Sequence, residues 1–331
     1  MKNIKTGLHL LLLLVFLTGC NNKPKIGFLM DTLEIERWNK DKALFIEKVE
    51  ALGGIPIVEV AEGDPALQVE QAKKLLKKGV DVLVVIPVDL DKAREIVNIA
   101  HQKKIKVISY DRMIKNCKVD YYISTDNINI GEIQADYLSR IMPRGRFALV
   151  GGSRTDYNAF LLHLGWMNVL QPLIERGDIQ IVLEEFSNAW THDEGYRIIN
   201  DFLNKNPEGV DAVIAGNDAL ASGVIKALDD HGMVKRVLVA GQDADVEALR
   251  NILAGYQTIT VYKPIEALTN ASAEVAMQIA QDQKPTGIGA TVNNGKRLVP
   301  SVLLPSQVVH KNNIKMTVVS EGFVTEQEIY K

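Results

Sequence analysis

Short apolar runs rich in Val and Ile alternate along most of the chain with stretches of helical spacing. The first half opens with Lys25–Met30, a buried-strand pattern. A polar loop over 31–37 leads to a helix over Trp38–Leu52, closed by Gly53-Gly54, a C-cap signal. Ile55–Val60 reads as a strand, Pro65–Lys78 as a helix ending at Gly79, and Val82–Ile86 as a strand stopped by Pro87. A helix over Asp91–Lys104, a strand over Ile105–Ser109 and a short strand over Tyr121–Ser124 complete this unit.

The same alternation then restarts, without clear sequence repetition. Helices are predicted over Ile130–Ile141, Ala159–Arg176, Asp193–Asn204, Ala219–His231 and Asp245–Ala254. Strands are predicted over Phe147–Val150, Ile179–Leu183, Ala212–Ala215, Val237–Ala240 and Thr258–Tyr262. Strands alternating with helices of about 10–15 residues are the signature of a doubly wound parallel sheet. The fold class is therefore α/β, with two Rossmann-like lobes. A third section, with a helix over Pro264–Gln281 and extended stretches at Pro300–Leu304 and Val308–His310, is too small for a domain of its own. It must complete the first two, so the chain crosses between lobes more than once.

The N-terminus has a separate purpose. Lys2 and Lys5 precede an apolar stretch, Leu8–Leu17, which is too short to span a bilayer and ends in Leu17-Thr18-Gly19-Cys20. Residues 1–20 read as a signal peptide of lipoprotein type, with Cys20 as the lipidated first residue of the mature chain; an ordinary signal peptide with an incidental Cys20 is the alternative. The mature protein is then extracytoplasmic and held at a membrane by lipid. Cys117 is left without a partner, a lone thiol in a loop, so neither a disulfide framework nor a cysteine metal site is expected. With 331 residues and 47% hydrophobic content the chain can build two cores. Its formal charge is −3, or 36 − 41 = −5 without Lys2 and Lys5, and it has no block of like charge, so no nucleic-acid partner is expected.

Candidate chemistry sits where the strands end, which is where open α/β sheets bind ligands. The run Val107-Ile108 stops at Tyr110-Asp111-Arg112, a carboxylate that only accepts beside a guanidinium that only donates. Other strand ends carry Asp31, Arg37 and Trp38; Asp156 and Asn158; Trp190; Asn217 and Asp218; Gln242 and Asp243; and Lys263. This inventory suits a neutral polyhydroxy ligand: planar polar groups bridge neighbouring hydroxyls, and indole faces cover the C–H face of a sugar ring. Each residue alone also has a structural reading; Asp218 and Asp245 would serve as N-caps of the helices they open. The weight lies in recurrence at most strand ends of both units.

Enzyme readings find little. Gly151-Gly152-Ser153 lacks the context of a nucleophile elbow, no Gly-x-Gly-x-x-Gly follows the first strand, and the six His include no His-Glu-x-x-His. A glycosidase-like carboxylate pair around Asp111 stays open, because carboxylate separation is not readable from sequence. No cofactor and no metal are expected.

Several motifs in order carry a family resemblance: Glu36-Arg-Trp-Asn-Lys-Asp41, Tyr110-Asp-Arg-Met-Ile114, Tyr122-Ile-Ser-Thr-Asp-Asn127, Asn217-Asp-Ala219, Gly241-Gln-Asp-Ala-Asp245, Thr260-Val-Tyr-Lys-Pro264 and Asn293-Asn-Gly295. The chain resembles the bacterial periplasmic sugar-binding proteins of the ribose/galactose type, in particular their xylose-binding branch. The resemblance implies two lobes joined by three hinge crossovers, near Asp126–Asn129, Thr258–Val261 and Gly289–Val292. The first lobe would comprise 24–127 plus 260–289 and the second 128–259 plus 290–331. It implies ligand contacts at Arg37, Asp111, Arg112, Asn158, Trp190, Asn217, Asp243 and Lys263. Asp156-Tyr157-Asn158 departs from the family's Asp-Asn-Asn, and Asn188-Ala-Trp190 from its Asp-Gly-Trp. The implied function is capture of D-xylose or a close pentose for an ABC importer; a co-receptor signalling to a membrane histidine kinase is the alternative. A cytosolic sugar-responsive repressor would need a helix-turn-helix where the signal segment stands.

Overall fold

The computed structural model describes residues 23–330; the signal segment and Cys20 lie outside them. In the first half, β1 (Lys25–Met30), α1 (Glu36–Ala51), β2 (Ile55–Val60), α2 (Pro65–Lys77), β3 (Val82–Val85), α3 (Arg94–Gln102), β4 (Lys106–Tyr110) and β5 (Tyr121–Thr125) alternate as the pattern demands. The second half runs α4 (Asn127–Ile141), β6 (Gly145–Gly151), α5 (Tyr157–Glu175), β7 (Ile179–Phe186), α6 (His192–Lys205), β8 (Ala212–Ala215), α7 (Asp218–Asp230), β9 (Leu238–Ala240), α8 (Val246–Ala254) and β10 (Thr260–Tyr262). The last section adds α9 (Ile265–Ala280), β11 (Ala290–Asn293), β12 (Leu298–Leu304), β13 (Gln307–Val309) and α10 (Glu326–Ile329).

Two sheets result. The first has order β11-β12-β5-β4-β3-β1-β2 and is parallel except for the β11–β12 pair. The second has order β7-β6-β8-β9, all parallel. A bridge from Ala240 to Ile259 continues it toward β10, which pairs antiparallel with β13. The interior strands are buried on both faces, so β3 reads as an unbroken apolar run, Val82-Leu-Val-Val85.

Each lobe has its own core. Helices cover both faces of the first sheet: Val69, Leu75, Ile96 and Val97 on one side, and Phe45, Val49, Leu268 and Met277 on the other. In the second lobe Phe147, Leu162, Trp166, Ile199 and Val224 pack around β6 and β8. Helix starts are set by short polar side chains that satisfy otherwise unpaired backbone donors. Asp64 accepts from Ala66 N at 2.7 Å with Pro65 as first helical residue, Asp126 opens α4, and Asp156 opens α5.

The last section departs from expectation in where the chain crosses between the lobes. Residues 290–304 do not belong to the second lobe: β12 pairs with β5 in the first sheet, Ser301 opposite Tyr122 and Val302 opposite Ile123. The turn between β11 and β12 centres on Asn294-Gly295, with Gly295 at φ 90°. The side chain of Asn294, fully buried, donates to the carbonyls of Ile114 and Cys117 at 3.0 Å each, fastening the hairpin to the loop after β4. The chain therefore crosses to the second lobe after β12, at 305–306, rather than near Gly289–Val292. Likewise β10 stays with the second lobe through β13, and the return crossing falls at Lys263-Pro264 rather than within Thr258–Val261. Cys117 is buried, which pushes its thiol pKa up.

Candidate functional site

The carboxyl ends of the two parallel sheets face each other, and the polar residues that follow their strands meet between the lobes. One small chamber is lined by Arg37, Trp38, Asp111 and Arg112 from the first lobe, and by Asp156, Asn158, Trp190, Asn217, Gln242, Asp243 and Lys263 from the second and its crossover. All eight residues implied by the resemblance line it together. Each is at most 8% exposed.

Charge organises the chamber. The Arg37 guanidinium, on the first turn of α1, reaches Asp41 at 3.2 Å, Asp111 at 3.0 Å and, across the cleft, Asp243 at 3.6 Å. Asp41 lies four residues further along α1, on the same helix face, and also accepts from the Tyr110 hydroxyl. The Arg112 guanidinium pairs with Asp31 at 2.5 Å and, across the cleft, with Asp156 at 2.6 Å. Lys263 stands 3.4 Å from Asp243. Both guanidinium groups flank the Trp38 ring, Arg37 at 4.3 Å and Arg112 at 5.5 Å from its centroid. Buried charges of this kind persist because each is paired.

The titration of the carboxyls follows. Burial alone would raise Asp111, but the charges of Arg37, Lys263 and Arg112 outweigh it and hold the group below the usual carboxylate range. Asp111 is thus an acceptor over the whole physiological range. Burial raises Asp156 more than Arg112 lowers it, and raises Asp41 against the pull of Arg37.

Backbone geometry aims the two principal carboxylates. Asp111 sits at φ 58° and Asp243 at φ 101°, a region uncommon for residues other than Gly. Surrounding bonds hold Asp111 there: its N–H donates to Ile123 O, and its carbonyl accepts from the Tyr122 and Ser124 hydroxyls. Asn158 donates to the Asp111 carboxylate at 3.0 Å and accepts from Asn127 at 3.1 Å. Asn217 caps α7, accepting from Leu220 N at 2.9 Å. That removes the N-cap expected of Asp218. Asp218 is instead buried against the 241–245 loop, accepting from Thr260 at 2.7 Å, Gln257 at 2.8 Å and the backbone of Asp245 at 3.1 Å. The Asp245 side chain makes no capping bond to α8.

Trp190 is seated by two glycines. A Cβ on Gly152 would lie 2.1 Å from its ring and one on Gly216 2.9 Å away. Its indole nitrogen, that of Trp38 and the Gln242 carbonyl oxygen are buried without a hydrogen-bond partner. Donors and acceptors left free in this way are what a hydroxylated ligand satisfies. Asp41 and Asp31 were not among the implied contacts. The Arg37/Asp41 spacing on one helix face is the sequence signal for the first; nothing local marks Asp31 beyond its place after β1.

A buried chamber of carboxylates, amides, guanidiniums and indoles between two α/β lobes is a binding site suited to a small polar solute. Residues 26–284 match the periplasmic binding protein domain, and the chain belongs to that family. It is 42% identical over 99% of both chains to the D-xylose-binding periplasmic protein of Escherichia coli (strain K12). It is 40% identical over 96% of both to the protein of that name from Haemophilus influenzae. Among solved structures, a carbohydrate transporter solute-binding protein from Chloroflexus aurantiacus in complex with D-glucose superposes with a TM-score of 0.87 at 27% identity, covering 93% of this chain and 98% of that one. These relatives are binding proteins, not enzymes.

Proposed function

We propose that this protein is an extracytoplasmic receptor that captures D-xylose, or a close pentose, between two closing lobes and delivers it to an ABC sugar importer. The observation that carries this is the convergence of Arg37, Asp111 and Arg112 from one lobe with Asn158, Trp190, Asn217, Asp243 and Lys263 from the other on one buried chamber. The name shared by the two relatives supports xylose as the sugar. Closure is a population shift: a ligand that bonds to both lobes has higher affinity for the closed state and draws the protein into it, with the three crossovers as hinges. The chamber's walls come from both lobes and its polar side chains are buried in the present state, so a pentose enters only when the lobes part. Lipidation of Cys20 would tether the receptor beside its membrane partner.

The deciding experiment is calorimetric titration of the protein lacking residues 1–20 with D-xylose, ribose, arabinose, galactose and glucose. One-site binding to D-xylose is expected; binding to none overturns the ligand. Pull-down with the importer's permease, with and without sugar, tests the partner, and sugar-dependent capture of a sensor histidine kinase in its place overturns it. Incorporation of labelled fatty acid, abolished in Cys20→Ser, tests the anchor.

A further inference from the structure

Two cavities lie between the lobes, and one side-chain bridge divides them. The inner chamber is the site described above. The outer cleft is far larger, about 450 Å³, and is lined from the first lobe by the 31–35 loop and from the second by the segment around Trp190 and the start of α7. Ile35, Arg112, Asp156 and Trp190 face both spaces, and of these only Arg112 and Asp156 are joined across the cleft by an ion pair; Asp31 faces the outer space alone.

Arg112 is held from both sides of the cleft. Its Nη1 donates to Asp31 of its own lobe at 2.5 Å and its Nε contacts Asp156 of the opposite lobe at 2.6 Å. Asp156 spends its other oxygen on the Asn158 backbone at the start of α5, and Asp31, the residue after β1, has its backbone carbonyl bonded to Gly63 N. All three side chains are buried. The planar guanidinium, fixed at two of its nitrogens, therefore forms a wall rather than a mobile arm.

We propose that the Asp31–Arg112–Asp156 bridge is the size filter of the sugar site, closing the chamber around a five-carbon ring and excluding sugars that must extend into the outer cleft. A hexopyranose carries an added hydroxymethyl group and a disaccharide an added ring. To bind, either would have to displace a guanidinium gripped by two buried carboxylates and leave those carboxylates unpaired. This inference rests on the reading of the chamber as a monosaccharide site. It adds the two residues, Asp31 and Asp156, that set which monosaccharide.

The test is titration of the protein lacking residues 1–20, as wild type, Asp31→Ala and Asp156→Asn, with D-xylose, D-glucose and xylobiose. Asp156→Asn retains a side-chain oxygen to cap α5, so it keeps the question answerable should Asp31→Ala not fold. Wild type is expected to favour D-xylose over the two larger sugars by about a hundredfold or more. The variants are expected to narrow that ratio to about tenfold or less, mainly by gaining affinity for D-glucose and xylobiose. An unchanged ratio in folded variants overturns the filter, as does equal loss of all three sugars. If wild type binds none of them, the monosaccharide reading itself fails and takes the filter with it.

Discussion

Arg37 in the first lobe and Asp243 in the second stand 3.6 Å apart, nitrogen to oxygen, both buried, although 206 positions separate them in the chain (243 − 37). The same Arg37 is braced within its own lobe by Asp41 and Asp111, and the same Asp243 by Lys263. The cross-cleft pair is therefore the meeting point of two preassembled half-sites. Each half presents a charge braced within its own lobe.

Removing one partner of this pair should be costly to binding. Asp243→Ala leaves Arg37 and Lys263 facing each other in the closed state without the carboxylate between them. Truncating one member of a buried, hydrogen-bonded charge pair costs about 2–5 kcal/mol, or about thirtyfold and upward in affinity. Titration with D-xylose should show that loss, while thermal unfolding without sugar changes little, because Asp243 supports closure rather than either core. Retained affinity would remove Asp243 from the site.

Gly152 should prove as important as any polar residue. A Cβ there would overlap the Trp190 ring at 2.1 Å, and Gly216 blocks retreat on the neighbouring strand end. Gly152→Ala therefore drives the indole into the chamber. Overpacking of this kind costs about 1–3 kcal/mol. We expect D-xylose affinity to fall at least about tenfold and the tryptophan emission to shift; wild-type values for both would show that the ring has another place to go.

The parts of this architecture legible in sequence are those with local causes. Buried parallel strands need continuous apolar runs, so Val82–Val85 and Ala212–Ala215 announced themselves, and polar residues after them marked the strand ends. The pairing of β12 with β5 has no local cause. Asn294-Gly295 signals a hairpin, but which sheet edge receives it depends on the buried Asn294 side chain reaching Ile114 and Cys117, a contact across the fold. Asp218 misled for the same reason. At the start of a helix an Asp reads as a cap, and only the approach of Thr260 from β10 and Gln257 from the loop before it gives it a different role.

The β11–β12 hairpin offers a stability test. Asn294 donates to two carbonyls and accepts from the backbone N–H groups of Lys296 and Arg297. Asn294→Ala orphans all of these, and leaving one buried group unsatisfied costs about 1–3 kcal/mol. Thermal unfolding should come several degrees lower. A melting temperature within a degree of wild type would mean the hairpin is held by β12–β5 pairing alone.

Asp218 makes a prediction whose sign depends on pH. Burial first, then the nearby charges of Asp245 and Asp243, push its carboxyl well above the usual range, even though Thr260 and Gln257 donate to it. A group whose pKa is raised on folding contributes stability that is fully present below its unfolded value, near 4, and is lost as pH rises through the folded value. Asp218→Asn removes this dependence while keeping one acceptor oxygen for Thr260 or Gln257. The melting temperature of the variant minus that of wild type should therefore move in the variant's favour as pH rises from about 4 toward 7. Scanning calorimetry of both proteins across that range measures it directly. The opposite slope would mean that the donors around Asp218 outweigh its burial, and that the ionised carboxylate is what holds the Asp243 loop to the hinge strand.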